Sequence, residues 1–169
     1  YFLPNFTVKG FNYRMTDIQG SLGVSQMNKV NYIMNGRRPV AEKYNKALSN
    51  ILELQVPFVP EGYKHAYQSY TCIFTDGEDI SNLNKVQIDR INIKRNNFMK
   101  KLEEMNIATR QGTHAIHRLE YYKNKYNLKD EDFLMSYAAE KLSVSLPIYP
   151  GMNDREFNYI ISNIKDALK

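Results

Sequence analysis

Residues 10 to 19 are Gly10-Phe11-Asn12-Tyr13-Arg14-Met15-Thr16-Asp17-Ile18-Gln19, and this stretch predicts a loop that leads directly into a helix. Gly10 permits backbone angles that are closed to other residues, and Thr16 with Gln19 fits the Thr-x-x-Gln capping box. Asn12 and Arg14 therefore lie just ahead of a fixed helix end. An amide and a guanidinium in that position suit an anionic oxygen, a phosphate above all, although a solvated loop can have the same composition.

A long, bent helical rod is predicted after the loop. Apolar residues recur at roughly helical spacing after Thr16, which predicts a helix that ends near Asn35. Gly36 and Pro39 predict a kink or a short break. A second helical segment then presents an apolar face made of Val40, Tyr44, Ala47, Leu48 and Ile51. We expect residues 1–52 to form the loop and the rod.

Residues 53–169 are predicted to form one α+β domain. The alternating stretch Tyr63–Thr75 predicts a strand, on which Tyr67 and Tyr70 would face opposite sides. The later predicted elements are a helix at about 85–106, an extended segment at 107–112, short helices and loops around 121–128, a helix at 133–142, a strand at 143–147 and a last helix that Asn153 and Glu156 cap. This order indicates a small sheet that helices cover on one side.

Composition limits the class of protein without naming its function. The chain has 169 residues, 43% hydrophobic and 24% charged, which is typical of a globular domain with a real core. The net charge of +5 is scattered, so it favours anionic partners but does not distinguish a phosphate-bearing small molecule from nucleic acid. The single cysteine, Cys72, is typical of a reducing compartment. No apolar run reaches the length of a membrane span, and no signal-peptide pattern is present, so we expect a cytoplasmic protein.

A second polar cluster lies in Thr109-Arg110-Gln111-Gly112-Thr113-His114-Ala115-Ile116-His117. Arg110 could bind a phosphate or carboxylate through two parallel hydrogen bonds, and His114 and His117 could donate to phosphate oxygens or sugar hydroxyls. A surface loop with incidental polar residues is the alternative. Two histidines three residues apart without a third ligand are a weak zinc pattern, so we expect no metal site.

No residue of the chain is predicted to be catalytic. The lysines lie in polar surroundings, which do not lower a lysine pKa for Schiff-base chemistry. His65 lies beside the aromatic predicted strand and is interpreted as a structural histidine. Cys72 lies in an alternating apolar stretch, which is typical of a buried, inert thiol.

The stretch Gly10–Gln19 closely resembles a segment of the DegT/DnrJ/EryC1/StrS sugar aminotransferases, which are fold-type-I enzymes that use pyridoxal phosphate. The resemblance continues, in the order of the family, through Arg37-Arg38, Ala41-Glu42-Lys43-Tyr44, Pro60–Tyr70, Thr109–His117 and Ser145–Met152. It covers essentially the whole chain, which looks like the C-terminal portion of such an enzyme. The chain is most similar to perosamine-synthase-like members, which aminate keto-sugars on nucleotide carriers.

The resemblance implies a small domain of a dimeric transaminase, with glutamate as the usual amino donor and a nucleotide-linked keto-sugar as acceptor. It implies that Asn12 binds the cofactor phosphate across the dimer interface, with Arg14 close to the same anion. It also implies that Arg110, His114 and His117 line the nucleotide-sugar pocket. The Schiff-base lysine of the family belongs to a preceding large domain, so we expect pyridoxal phosphate in the full-length dimer only and no activity from this chain alone.

Two other functions are compatible with the residues. A stand-alone basic α+β module could bind a small ligand or nucleic acid, but aromatic residues on opposite strand faces make a poor platform for stacked bases, so we expect no nucleic-acid partner. The rod and its loop could also serve only to pair subunits, without retained chemistry.

Overall fold

A computed structural model describes residues 11–169, which form six α-helices and a three-stranded sheet. The elements, in chain order, are α1 (Asp17–Met27), α2 (Val30–Leu48), β1 (Leu54–Gln55), β2 (Tyr70–Phe74), α3 (Lys85–Glu104), α4 (Glu120–Tyr126), α5 (Leu134–Leu142), β3 (Ser143–Leu146) and α6 (Asp154–Ala167). Three 3₁₀ turns lie between them, at Ile80–Asn82, Ile116–Arg118 and Asp130–Phe133. The α+β prediction is confirmed. The predicted turn at Gly10 lies outside the described residues.

Helix α1 begins with the capping box that the sequence predicts. The Thr16 hydroxyl accepts a hydrogen bond from the backbone N–H of Gln19 at 3.3 Å, and the Gln19 side chain accepts one from the N–H of Thr16 at 3.0 Å. These two bonds satisfy N–H groups that a helix start otherwise leaves unpaired. The loop that carries Asn12 and Arg14 is therefore joined to a well-defined helix end.

The break in the rod lies at Asn28 and Lys29, and α2 continues through Gly36 and Pro39. The prediction of a break at Gly36 and Pro39 is therefore wrong, whereas a kink there stays a prediction. At the end of α1 the Lys29 N–H bonds to the carbonyl of Gln26, a tighter 3₁₀-type bond. Pro39 lies inside α2, where the lost hydrogen bond and ring clash of a proline cost about 3 kcal/mol. The helix continues because its second half packs into the core, through Val40, Ala41, Tyr44 and Leu48.

The sheet is antiparallel, with β2 in the centre between β1 and β3. Tyr70 of β2 lies opposite Leu146 of β3. On the far side of β3, Arg110 forms one bridge with Ser145, in which their backbone N–H and carbonyl groups bond at 3.2 and 2.7 Å. The predicted extended segment 107–112 therefore adds a short edge to the sheet.

Strand β2 has one buried face and one half-buried face, as an alternating sequence predicts. Tyr70, Cys72 and Phe74 are buried, whereas Thr71 and Ile73 between them are partly exposed. Helices α2, α3, α5 and α6 place their apolar residues in the same core as the buried strand face. The sheet therefore presents a second, more polar face outside this core.

The predicted strand at Tyr63–Thr75 is shorter in the structure. Tyr67 precedes β2 and has a left-handed φ of 46°, so the alternation of strand faces does not apply to it. Its ring centre lies 6.1 Å from that of Tyr70, with the ring planes 28° apart, and both residues are buried. The prediction that these tyrosines face opposite sides is wrong. Their burial leaves neither ring available to stack on a nucleic-acid base.

The three later helices predicted from the sequence are confirmed as α3, α5 and α6. In α6 the side chain of Asn153 accepts the N–H of Glu156, and that of Glu156 accepts the N–H of Asn153, both at 2.9 Å. Helix α2 shares its core with the sheet. The division of the chain into residues 1–52 and 53–169 stays a prediction.

Candidate functional site

The loop before α1 presents its two candidate ligand-binding side chains to solvent. The Asn12 side-chain oxygen accepts a hydrogen bond from the backbone N–H of Arg14 at 3.1 Å, and its amide N–H groups make no hydrogen bond within residues 11–169. Asn12 and Arg14 are both exposed, and the Arg14 guanidinium makes no ion pair within residues 11–169. This donor set, an amide and a free guanidinium, fits a phosphate group.

Helix α1 exposes several apolar side chains and buries no residue against the rest of the described chain. The side chains of Ile18 and Leu22 are 84% and 63% exposed, and Met15, Val24 and Met27 are exposed to a similar extent. A run of exposed apolar side chains of this size is typical of a surface that another domain or subunit covers. The candidate loop thus lies next to an apolar surface that the rest of the described chain leaves uncovered.

The second candidate group, Arg110, His114 and His117, divides by exposure. Arg110 and His114 are exposed, and Arg110 makes no ion pair with another described residue. The Gln111 side chain donates to the carbonyl of Thr113 at 2.7 Å and lies 3.4 Å from the His114 ring. Within the described residues, no hydrogen bond or ion pair joins this group to Asn12 or Arg14.

His117 lies inside the domain, only 5% exposed. Its ring stacks on Phe133 at 5.0 Å between centres, and its Nε2 lies 3.3 Å from a carboxylate oxygen of Asp130 without an aligned hydrogen bond. A ligand bound at Arg110 and His114 would reach the exposed surface of this turn before the His117 ring. The role of His117 as a substrate contact stays a prediction.

A polar groove of about 560 Å³ lies between α3 and the segment 106–110. Three cationic residues, Arg95, Lys100 and Arg110, and one acidic residue, Glu103, contribute to its lining. Arg95 is buried and donates to the carbonyl of Lys141 at 2.7 Å, so it is fixed in place. The excess of positive charge suits an anionic group.

Sequence reasoning missed the charged contacts that hold this region. Glu140 accepts hydrogen bonds from the backbone N–H of Ala115 at 2.7 Å and from the Arg118 guanidinium at 2.5 Å. Nothing in the amphipathic sequence of α5 distinguishes Glu140 from a solvated residue. The buried Arg95 could have been found, because it occupies an inward position of α3 between Ile91 and Phe98.

The remaining titratable candidates support no catalytic role. Burial raises the pKa of the Cys72 thiol to about 12, so it is protonated and inert at neutral pH. No lysine of residues 11–169 is buried, and hydrogen bonds to Asp89 and Tyr137 raise the pKa of Lys85. The His65 ring accepts the N–H of Tyr67 at 2.8 Å, which supports its structural interpretation. The described part of the chain contains no cluster of three metal-ligating side chains and no helix long and apolar enough to cross a membrane.

Comparison with known proteins confirms the family resemblance. The model of the DegT/DnrJ/EryC1/StrS aminotransferase family matches residues 5–165. The uncharacterised protein MJ1066 of Methanocaldococcus jannaschii is 30% identical over 156 residues, which are 92% of this chain and 37% of that protein. GDP-perosamine synthase of Vibrio cholerae is 28% identical over 156 residues, 92% of this chain and 38% of the synthase. The chain thus spans less than two fifths of each of these relatives.

The fold also matches that of a solved structure. Spr1654 of Streptococcus pneumoniae, described as a sugar aminotransferase and solved in its PLP form, superposes with a TM-score of 0.74 at 21% identity. The match covers 91% of this chain and 36% of Spr1654. The predicted fold, an α+β portion of such an aminotransferase, is thereby confirmed.

Proposed function

Because this chain belongs to the DegT/DnrJ/EryC1/StrS aminotransferase family, we propose that the protein that carries it is a pyridoxal-phosphate-dependent sugar aminotransferase. The proposed reaction moves an amino group from an amino acid, glutamate in this proposal, to a nucleotide-linked keto-sugar. The observation that carries the proposal is the family match over residues 5–165, and the exposed amide of Asn12 and guanidinium of Arg14, which suit a phosphate, support it. A cytoplasmic location accords with the free thiol of Cys72.

In this proposal Asn12 and Arg14 hold the phosphate of the cofactor. The bond from the Arg14 N–H holds the Asn12 oxygen, the amide N–H groups donate to the phosphate, and the guanidinium adds charge-assisted bonds. Pyridoxal phosphate, when bound, supplies the electron sink that amino-group transfer requires. The contribution of this loop is to bind and orient that group.

We propose that the loop acts in the active site of a second copy of the protein. The support for a homodimer is the uncovered apolar surface of α1, which carries Ile18 and Leu22 directly after the loop. A second subunit that packs on this surface would bring Asn12 and Arg14 to its own pocket. The proposed active site is therefore shared between subunits.

The nucleotide-sugar is proposed to bind at Arg110, His114 and His117. The exposed Arg110 lines the basic groove of about 560 Å³, which suits the charged phosphates of such a substrate. The exposed His114 can donate to a phosphate oxygen or a sugar hydroxyl. His117 is proposed to act from beneath the same turn.

No catalytic residue is proposed within this chain. Since no lysine of residues 11–169 is buried and Lys85 has a raised pKa, we expect none of them to bond covalently to the cofactor. The isolated chain mixed with pyridoxal phosphate should show no visible absorption band from a lysine-bound cofactor. A band from cofactor bound covalently to one of these lysines would contradict this part of the proposal.

The shared site is tested by mixing two inactive variants of the complete protein. One variant carries Asn12→Ala with Arg14→Ala, and the other lacks the Schiff-base lysine that the proposal places outside this chain. Each mixed dimer then has one site with an intact lysine and an intact loop from the partner. Random exchange of two subunits in a two-fold dimer should restore about a quarter of the wild-type activity.

A matched control replaces an exposed cation outside the loop, Lys29→Ala, and should leave cofactor affinity unchanged. If the two inactive variants each lack activity and their mixture recovers none after subunit exchange, the loop does not act across the interface. If the double substitution leaves cofactor affinity and activity at the wild-type level, Asn12 and Arg14 do not hold the phosphate.

A further inference from the structure

The 113–118 segment, which carries His114 and His117, leaves the sheet directly after its last contact with β3. Arg110 makes the bridge to Ser145, and the N–H of Gly112 then donates to the Ser143 hydroxyl at 3.0 Å. From residue 113 onward the described chain forms no further bridge to β3. Another group must therefore fix the position of the proposed substrate residues.

We propose that Glu140 is the positioning residue that holds the 113–118 segment in its substrate-binding conformation. One carboxylate oxygen accepts the N–H of Ala115 at 2.7 Å, and the other accepts from the Arg118 guanidinium at 2.5 Å. Ala115 and Arg118 are also joined by the 3₁₀ hydrogen bond of 3.0 Å that closes the turn. A single carboxylate thus binds both ends of the turn that contains His117. This role rests on the proposed function.

The carboxylate is itself held rigidly. Helix α5 ends at Leu142, and the buried Arg95 donates to the carbonyls of Lys141 and Glu140 at 2.7 and 3.4 Å. The Glu140 side chain is only 15% exposed, so its two charge-assisted hydrogen bonds are largely shielded from water. Arg118 has a second anionic neighbour, with its Nε 3.4 Å from Asp130.

The substitution Glu140→Gln tests the role because both groups that face the carboxylate are donors. A glutamine can accept at one oxygen only, and its NH₂ group must then point at the N–H of Ala115 or at the Arg118 guanidinium. The matched control is Glu78→Gln, the same substitution at a carboxylate that bonds Arg90 and forms no hydrogen bond or ion pair with the 113–118 segment. A second variant, Arg118→Met, removes the other donor to Glu140 and serves if Glu140→Gln does not fold.

Two measurements on the complete protein separate positioning from stability. The first is hydrogen exchange, in which Glu140→Gln should accelerate the Ala115 amide about tenfold while amides of β2 and β3 keep their protection. The second is steady-state kinetics with GDP- and UDP-linked keto-sugars, whichever the wild-type protein accepts. There Glu140→Gln should raise the KM for the nucleotide sugar about tenfold and change kcat by less than about twofold, the pattern of lost binding. Arg118→Met should shift both readouts in the same direction, and Glu78→Gln should shift neither.

Each other outcome overturns a defined part of the argument. The positioning role alone is overturned if the wild-type protein transfers the amino group but Glu140→Gln leaves the KM unchanged. It is also overturned if Glu140→Gln leaves exchange at Ala115 unchanged or accelerates exchange throughout the domain. A wild-type protein that neither binds a nucleotide sugar nor transfers an amino group overturns the proposed function together with this role. Local loosening at Ala115 in that protein would then show only that Glu140 holds the turn.

Discussion

Replacing Gly112 by alanine should destabilise the domain, chiefly through a steric contact with Thr71 that a second substitution can relieve. A Cβ added at Gly112 would lie 2.3 Å from the methyl carbon of Thr71 and 3.1 Å from the Cβ of Ser143. Gly112 does not have a left-handed φ, so the backbone accepts alanine and the cost comes from the contact alone. The neighbouring strand cannot retreat freely, because the Thr71 hydroxyl bonds the Ser145 hydroxyl at 2.7 Å.

The expected size of this effect follows from the cost of overpacking. Forcing an extra methyl group into a closely packed contact costs about 1–3 kcal/mol of the free energy of unfolding. For a chain of this length, each kcal/mol lowers the Tm by about 2–4 °C. Gly112→Ala should therefore lower the Tm by several degrees. The N–H of Gly112 also bonds the Ser143 hydroxyl, so any shift of the segment weakens that bond.

The double variant tests whether the Thr71 methyl group is the cause. Thr71→Ser removes that methyl carbon but keeps the hydroxyl that bonds Ser145. We expect Gly112→Ala to cost less in the Thr71→Ser background, with a coupling energy of about 1 kcal/mol in urea unfolding followed by circular dichroism. Gly23→Ala, where a Cβ meets no atom within 4 Å, is the control and should not destabilise the protein. A neutral Gly112→Ala, or strictly additive effects with Thr71→Ser, would refute the steric argument.

Two further predictions concern a close contact of α2 and a buried thiol. Gly36→Ala should lower the free energy of unfolding by about 1–3 kcal/mol, because the added Cβ would lie 2.9 Å from the backbone Cα of Pro150. Pro150→Ala keeps that Cα, so it should not relieve the contact. Full recovery of stability in the double variant would contradict the prediction. Burial raises the pKa of the Cys72 thiol from 9.0 to about 12. The stability that the protonated thiol contributes is therefore complete below pH 9 and is lost as the pH rises toward 12. The loss between pH 9 and 10 should be about 1 kcal/mol. Urea unfolding at pH 8, 9 and 10 should show this loss in the wild-type chain and a smaller one in Cys72→Ala, and equal losses in both would exclude the thiol as its source.

Local signals predicted the elements of the fold that depend on nearby residues. The capping boxes at Thr16 and Asn153 are formed by residues three positions apart, so their sequence is sufficient to place the starts of α1 and α6. Tyr67 and Pro39 could not be placed in the same way. Tyr67 adopts a left-handed conformation while it packs against Tyr70, and Pro39 is accepted because distant parts of the core hold the helix around it.

The residues of the candidate site also differ in whether the local sequence is sufficient to identify them. The polar composition of residues 109–117 identifies a candidate ligand-binding stretch, but its members look equivalent in the sequence. The structure separates the exposed Arg110 and His114 from the buried His117, since His117 packs against Phe133, which follows it by sixteen positions along the chain. Glu140, which binds both ends of the same turn, lies still further along the chain. Residues that contact a ligand can thus be suggested by a local motif, whereas the residues that hold them in place are identified only once the fold brings them together.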